Sequence, residues 1–137
     1  MQATATHLSL ETCKTLKYYG VESKYVFLQT YVDTDAWQTV RIDIVRKGTN
    51  LGGNFHEEIA PAYTWYEVLM KYREIFIGEE PMAEAQTLGY KSIAQSIIYN
   101  IEDKIIHEQY DQADKYFRRN CKLIPLCKLL FPKSTNE

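Results

Sequence analysis

This chain is poor in the features that usually announce a chemistry. Its three cysteines, Cys13, Cys121 and Cys127, are odd in number, and no two stand at the two-residue spacing of zinc and redox motifs. Reduced thiols in a cytoplasm are expected. No apolar run approaches 18 residues and no charged-then-apolar leader opens the chain, so neither a membrane-spanning helix nor secretion is expected. A net charge of −2 gives no global attraction to nucleic acid or to an anionic membrane. There is no internal repeat and no low-complexity tract.

Local chemical signatures are lacking in the same way. His56-Glu-Glu-Ile-Ala60 opens like a zinc-protease helix, yet Ala60 stands where a second imidazole must grip the metal. His56 is therefore expected to be a polar loop residue. Asp103 and His107 stand four apart on a helix, which supplies two ligands where a zinc needs at least three, and they read as a solvated face. Gly48-Thr-Asn-Leu-Gly52-Gly53 has no following Lys-Ser/Thr and opens no strong helix, so it is a flexible connection and not a phosphate loop. No serine or cysteine carries a local nucleophile signature. No catalytic, cofactor-binding or metal-ligating residue is assigned and no cofactor is expected, which leaves enzymes only the case of a site dispersed along the chain.

At 137 residues the chain is long enough for one domain that buries about two-thirds of its unfolded surface. Its most legible segment is Ile59-Ala-Pro-Ala-Tyr-Thr-Trp-Tyr-Glu-Val-Leu69. Thr64 is placed as an N-cap, Glu67 three residues on completes a capping box, and Tyr63 and Val68 are spaced as a hydrophobic staple. Pro61 biases Ala60 toward an extended conformation, so a strand or loop leads into the helix. That helix is predicted over Trp65–Phe76, with Val68, Leu69, Tyr72, Ile75 and Phe76 on one stripe, and Gly78-Glu-Glu-Pro81 ends it.

Upstream, residues 1–7 are small and polar and are expected to fray. Ser9 caps a short helix to about Tyr19, with Leu10, Cys13 and Leu16 along one side and Gly20 as its stop. Tyr25–Val32 is a strand with apolar groups on both faces. Asp33–Trp37 is turn-like. Thr39–Val45 alternates, with Val40, Ile42 and Ile44 inward and Arg41 and Asp43 outward. The pair makes a β-hairpin with a loop of about five residues. Because a lone hairpin is marginal in water, it must pack on helices, and Asn54–Ile59 is available as a third strand.

Tyr90–Ile124 contains neither glycine nor proline and is helix-compatible throughout, but its apolar stripe changes phase. Tyr90, Ile93, Ala94, Ile97, Ile98, Ile101 and Ile105 share one face; Ala113, Tyr116, Phe117, Cys121 and Ile124 lie about 120° round from them. Unbroken, this helix spans about 52 Å, against roughly 37 Å across a compact domain of this size. A break near His107–Gln109 is the expectation. An unbroken helix instead implies an overhang that pairs with another chain in a homo-oligomer. The apolar tail from Pro125 is expected to fold back on the core, with an exposed docking segment as the alternative. The fold class is α+β: an N-terminal helix, a β-hairpin or three-stranded sheet, a capped central helix, and a long or broken C-terminal helical segment.

Leu8-Ser-Leu-Glu-Thr-Cys-Lys-Thr-Leu-Lys-Tyr-Tyr-Gly20 and Ala60-Pro-Ala-Tyr-Thr-Trp-Tyr-Glu-Val-Leu69 resemble a loose group of small uncharacterised proteins of Bacteroides and their phages and mobile elements. The first looks like their opening capped helix ending in glycine, the second like their Pro-Ala lead into a second helix. The likeness covers about the first 75 residues; beyond them the group returns to strands while this chain reads helical. The resemblance implies a source and brings no activity with it.

One charge pattern stands out. Lys115, Arg118, Arg119 and Lys122 are spaced i, i+3, i+4, i+7, so a helix carries all four on one face, opposite Tyr116, Phe117, Cys121 and Ile124. Such a stripe suits phosphates or an acidic protein surface. Asp111 and Asp114, each four residues ahead of a cation, equally suit a self-paired, solvated face. Eleven tyrosines supply large amphipathic area, suited to mixed cores and to interfaces alike, and Tyr31 and Trp37 at the hairpin are the candidate aromatic contacts. The expected function is a non-catalytic, cytoplasmic protein-binding or inhibitory protein with a protein partner. A nucleic-acid-associated protein using the basic face is the alternative, and a small enzyme with a dispersed site is third.

Overall fold

A computed structural model describes residues 1–17, 22–34, 37–50, 52, 55–78 and 90–121. In chain order these form α1 (Leu10–Lys17), β1 (Tyr25–Thr34), β2 (Trp37–Arg46), β3 (Phe55–Pro61), α2 (Trp65–Phe76), α3 (Tyr90–Ile106) and α4 (Tyr110–Cys121). The fold is α+β, a three-stranded antiparallel sheet of order β2-β1-β3 packed with helices. No helix among the described residues is long and apolar enough to cross a membrane.

The central strand is β1. Tyr25, Phe27 and Tyr31 alternate along it with Val26, Leu28 and Thr30, and residues of both sets are buried, as expected for a strand apolar on both faces. Its pairing with β2 is unbroken from Tyr25↔Arg46 to Thr34↔Trp37. The turn is therefore tighter than the five residues expected: Asp33, Thr34 and Trp37 belong to strands, and residues 35–36 lie outside the described part. The third strand forms, displaced slightly to Phe55–Pro61, and its register against β1 shifts between Phe27 and Leu28, leaving Ile59 as an inserted residue.

The helices cover one face of the sheet, around Phe27 and its cross-strand neighbours Ala60 and Ile44. Leu10, Cys13 and Leu16 of α1 are buried there, and Ser9 caps α1 by accepting the Thr12 N–H at 3.2 Å. Gly20, the expected stop, lies outside the described residues. From α2, Trp65, Val68, Leu69, Tyr72, Ile75 and Phe76 are buried, the predicted stripe with Trp65 added.

The capping box at its start is complete. Thr64 Oγ1 accepts the Glu67 N–H at 3.1 Å, and Glu67 Oε1 accepts the Thr64 N–H at 2.9 Å. Glu67 reaches further than a cap needs: it also accepts the Ser23 hydroxyl at 2.8 Å and the Lys24 N–H at 3.1 Å, tying the start of α2 to the start of β1. Burial pushes its carboxyl up, but hydrogen bonds from Thr64, Ser23 and Lys24 outweigh that and hold it below the ordinary carboxylate range.

Residues 1–7, expected to fray, are instead bonded into the fold. Trp65 N–H donates to the Thr6 carbonyl at 3.0 Å, Trp65 Nε1 to the Thr4 carbonyl at 2.9 Å, and Leu8 N–H to the Tyr63 carbonyl at 3.1 Å. Small polar composition does not free a segment whose backbone closes the end of a buried helix.

The long helical segment breaks where the size of the domain requires it. Glu108 has φ 58, its N–H donates to the Ile105 carbonyl at 3.0 Å, and the Gln109 N–H donates to the Lys104 carbonyl at 2.8 Å. These two bonds are the Schellman pattern, with a glutamate in the left-handed position that glycine usually takes. The overhanging helix on which a homo-oligomer depended is therefore not formed. Ala94, Ile97, Ile98 and Ile101 face the core from α3, and Ala113 and Phe117 from α4, while Ile93, expected on the same stripe, is half exposed. Arg73 pairs with Glu102 between α2 and α3, and Lys104 lies 4.9 Å above the Tyr116 ring between α3 and α4. The tail from Pro125 lies outside the described residues.

Candidate functional site

Lys115, Arg118 and Arg119 of the expected basic face lie on α4, but the charges around them are committed differently. Arg118 Nη1 pairs with Glu11 of α1 at 2.8 Å. Asp114, expected to pair with Arg118 on the surface, is buried instead. It accepts the Ser9 N–H at 2.9 Å, the Ser9 hydroxyl at 2.7 Å and the Thr12 hydroxyl at 3.0 Å. The carboxylate is thus solvated by the cap hydroxyls and the positive N-terminal end of α1, a better environment than a single exposed guanidinium. Lys115 and Arg119 are exposed, and Lys122 lies outside the described residues.

Between α1 and α4 is an open cleft of about 400 Å³, lined among others by Glu11, Lys14, Asp111, Asp114, Lys115 and Arg118. Three acidic and three basic side chains line it together with Met1, so charges of both signs meet there.

The residues weighed for catalysis or metal binding are placed apart. His56 is on strand β3, not in a loop, and its Nδ1 is 3.1 Å from the Thr30 hydroxyl. The Asp103–His107 pair caps the end of α3: His107 Nδ1 is 2.7 Å from the Asp103 carbonyl and 3.6 Å from its carboxylate. Among the described residues no group of three or more His, Cys, Asp or Glu side chains is placed to hold a metal ion. Gly48 and Gly52 both have positive φ, 84° and 73°, so these two glycines serve turn geometry. Burial pushes the Cys13 thiol up to about 12, far from the thiolate that a nucleophile needs.

What the sheet does present is a row of three residues in register across its strands. Tyr31 of β1 is opposite Val40 of β2 on one side and Phe55 of β3 on the other. The Tyr31 and Phe55 rings are 5.6 Å apart and tilted, and the Tyr31 hydroxyl donates to Glu57 at 3.3 Å. Phe55 is 70% exposed and Val40 50%. Along the same face the next row toward the core is Ile42, Gln29 and Glu57, and then comes the covered row of Ile44, Phe27 and Ala60. Burial, then the Glu57 charge and hydrogen bond, raise the Tyr31 phenol above its ordinary value.

Val40 was expected inward with Ile42 and Ile44. The alternation is right about the face, but the helical layer ends before it reaches Val40. Strands of ten residues span about 33 Å, whereas the 12-residue α2 spans about 18 Å. No local pattern in the sequence marks the row. Tyr31 lies in it; Trp37 pairs with Thr34 at the far end of the hairpin, and its side chain lies outside the described residues. Comparison of this chain with protein-family models, curated proteins and solved structures finds no match.

Proposed function

We propose that this chain is a non-catalytic, cytoplasmic protein-binding protein that docks another protein on the overhanging end of its sheet. The observation that carries this reading is the row Val40–Tyr31–Phe55, in which Val40 and Phe55 keep half or more of their surface in water on either side of Tyr31. An exposed aromatic anchor flanked by an aliphatic residue is the composition of an interface centre. Glu57, held by Tyr31 next to the row, sets the chemistry of the partner: an aliphatic pocket for Phe55, bordered by a cation or an N–H donor for the carboxylate. An inhibitory role in a Bacteroides phage or mobile element, acting on a host protein, is the task that the resemblance of residues 8–20 and 60–69 favours.

The test is affinity capture from Bacteroides lysate, followed by rebinding of the purified partner. A partner lost with Phe55→Asp and with Val40→Asp, and retained with the double charge reversal Arg118→Glu/Arg119→Glu, supports this reading. A tight nucleic-acid complex that weakens steeply with salt and disappears in the double reversal overturns it in favour of the basic face.

A further inference from the structure

The two edges of the sheet are not alike. The β3 edge strand has seven residues, a register shift against β1 and a terminal proline, Pro61, all of which discourage a further strand from adding. The β2 edge has none of these. It runs for ten residues without proline, its register with β1 is unbroken, and no strand among the described residues pairs with its outer side. A long regular edge of that kind is a template for strand addition.

Its sequence specifies which strand. Val40, Ile42 and Ile44 point to the helix-covered face of the sheet, and Arg41 and Asp43 to the other. Val40 is half exposed, and the Arg41 and Asp43 side chains are 73% and 42% exposed. If a second β2 lies antiparallel about a two-fold axis perpendicular to the sheet, opposed residues must share a face, so only registers centred on a residue are allowed. Centred on Arg41, the register sets two arginines against each other; centred on Asp43, it sets two aspartates against each other. Centred on Val40 or Ile44, it opposes Ile42 to Gln38 or to Arg46. Centred on Ile42, it sets each Arg41 opposite the other copy's Asp43, Val40 opposite Ile44, and Ile42 opposite Ile42. One register therefore satisfies both faces, and its neighbours are penalised by like charges or mismatched polarity.

We propose that this chain forms a two-fold dimer by antiparallel pairing of β2 with β2 of a second copy, centred on Ile42. The sheet becomes six-stranded, in the order β3-β1-β2-β2-β1-β3. Val40, half exposed in one copy, gains Ile44 of the second copy as a cross-strand neighbour. The Arg41–Asp43 pair, 2.7 Å apart within one strand, joins its symmetry mate so that each guanidinium lies between two carboxylates. This pairing uses the edge of the sheet and does not depend on the partner proposed for the row Val40–Tyr31–Phe55.

The experiment is sedimentation equilibrium on the full chain and on charge variants at the two exposed positions. The wild type is expected to be a dimer. Arg41→Asp opposes aspartates at both pairs and Asp43→Arg opposes arginines, so each variant alone should dissociate with a constant raised roughly tenfold or more. Mixing the two variants restores opposite charges at both positions, and the mixture should dimerise again, as should the exchanged double variant Arg41→Asp/Asp43→Arg. Far-UV circular dichroism, expected to be unchanged at these exposed positions, shows that each variant is folded. A wild type that stays monomeric as concentration rises overturns the proposal. So does a dimer indifferent to both single variants, or a mixture that fails to re-form.

Discussion

Asp114 accepts the Ser9 backbone N–H at 2.9 Å and the Ser9 hydroxyl at 2.7 Å, fastening the start of α1 to α4 across 105 positions of sequence. With the Thr12 hydroxyl at 3.0 Å, three buried donors depend on one carboxylate. Asp114→Ala strands all three and should destabilise the fold by about 3 kcal/mol or more. Asp114→Asn keeps an acceptor oxygen and should lose markedly less. Urea denaturation of the two variants measures the difference, and equal losses contradict a hydrogen-bonding role.

Glu67 couples stability to acid. Its folded carboxyl lies below the ordinary value of 4.5, so the unfolded chain takes up this proton first as pH falls. The stability it contributes is complete above that value and is lost as pH drops through the lower, folded value. Glu67→Gln should remove this part of the acid dependence. Thr64→Ala removes only the cap and should cost about 1 kcal/mol at neutral pH. Unfolding midpoints measured across the acid range separate the two effects.

His7 acts in a different window. Its ring meets Tyr25 edge-on with centroids 5.1 Å apart, and its buried Nε2 has no hydrogen-bond partner among the described residues. Burial lowers its pKa from 6.5, partly opposed by the Glu67 charge. The unfolded state therefore binds the proton first, and stability should begin to fall as pH drops through 6.5, continuing to the folded value. His7→Phe should flatten this stretch of the curve. An unchanged slope in the variant contradicts the assignment.

Glu108 holds a left-handed backbone, φ 58, at the α3–α4 break. Glu108→Gly should be neutral or stabilising by about 1 kcal/mol, because glycine adopts this conformation without Cβ strain. Glu108→Val should destabilise by more than the glycine gains. Thermal melts of the pair give the sign directly.

Cys13 should be inert in the native protein. With its thiol pushed up to about 12 and its side chain fully buried, almost no thiolate is present at neutral pH. Alkylation followed by peptide mapping should find Cys13 unmodified until denaturant is added. Rapid native labelling at this position contradicts the packing of α1 against the core.

Much of the fold was legible because its signals are local or metric. The Thr64–Glu67 box needs only four residues of context, and the Val68–Phe76 stripe follows from helical period alone. The break at Glu108 carries no residue signature, since no glycine or proline marks it; it was found because an unbroken helix is longer than the domain. The site was less legible for the same physical reason. Alternation assigns Val40 to a face but cannot say how far along that face the helices extend, so its exposure was missed. Phe55, at a strand end beside a glycine-rich loop, gave no sign that it faces Tyr31.

The sequence by itself determined the elements, their apolar faces and the caps, because each depends on residues within a few turns of one another, and the need for a break, because helix length is set by residue count alone. Only the tertiary structure decided which charges face water and which are consumed. Asp114 turned inward because α1, more than a hundred residues away in the chain, brings two hydroxyls and a helix N-terminus to it. Arg118 found Glu11 by the same approach. Tyr31 was joined to Val40 and Phe55 by strand register, a relation between distant segments that no local pattern encodes.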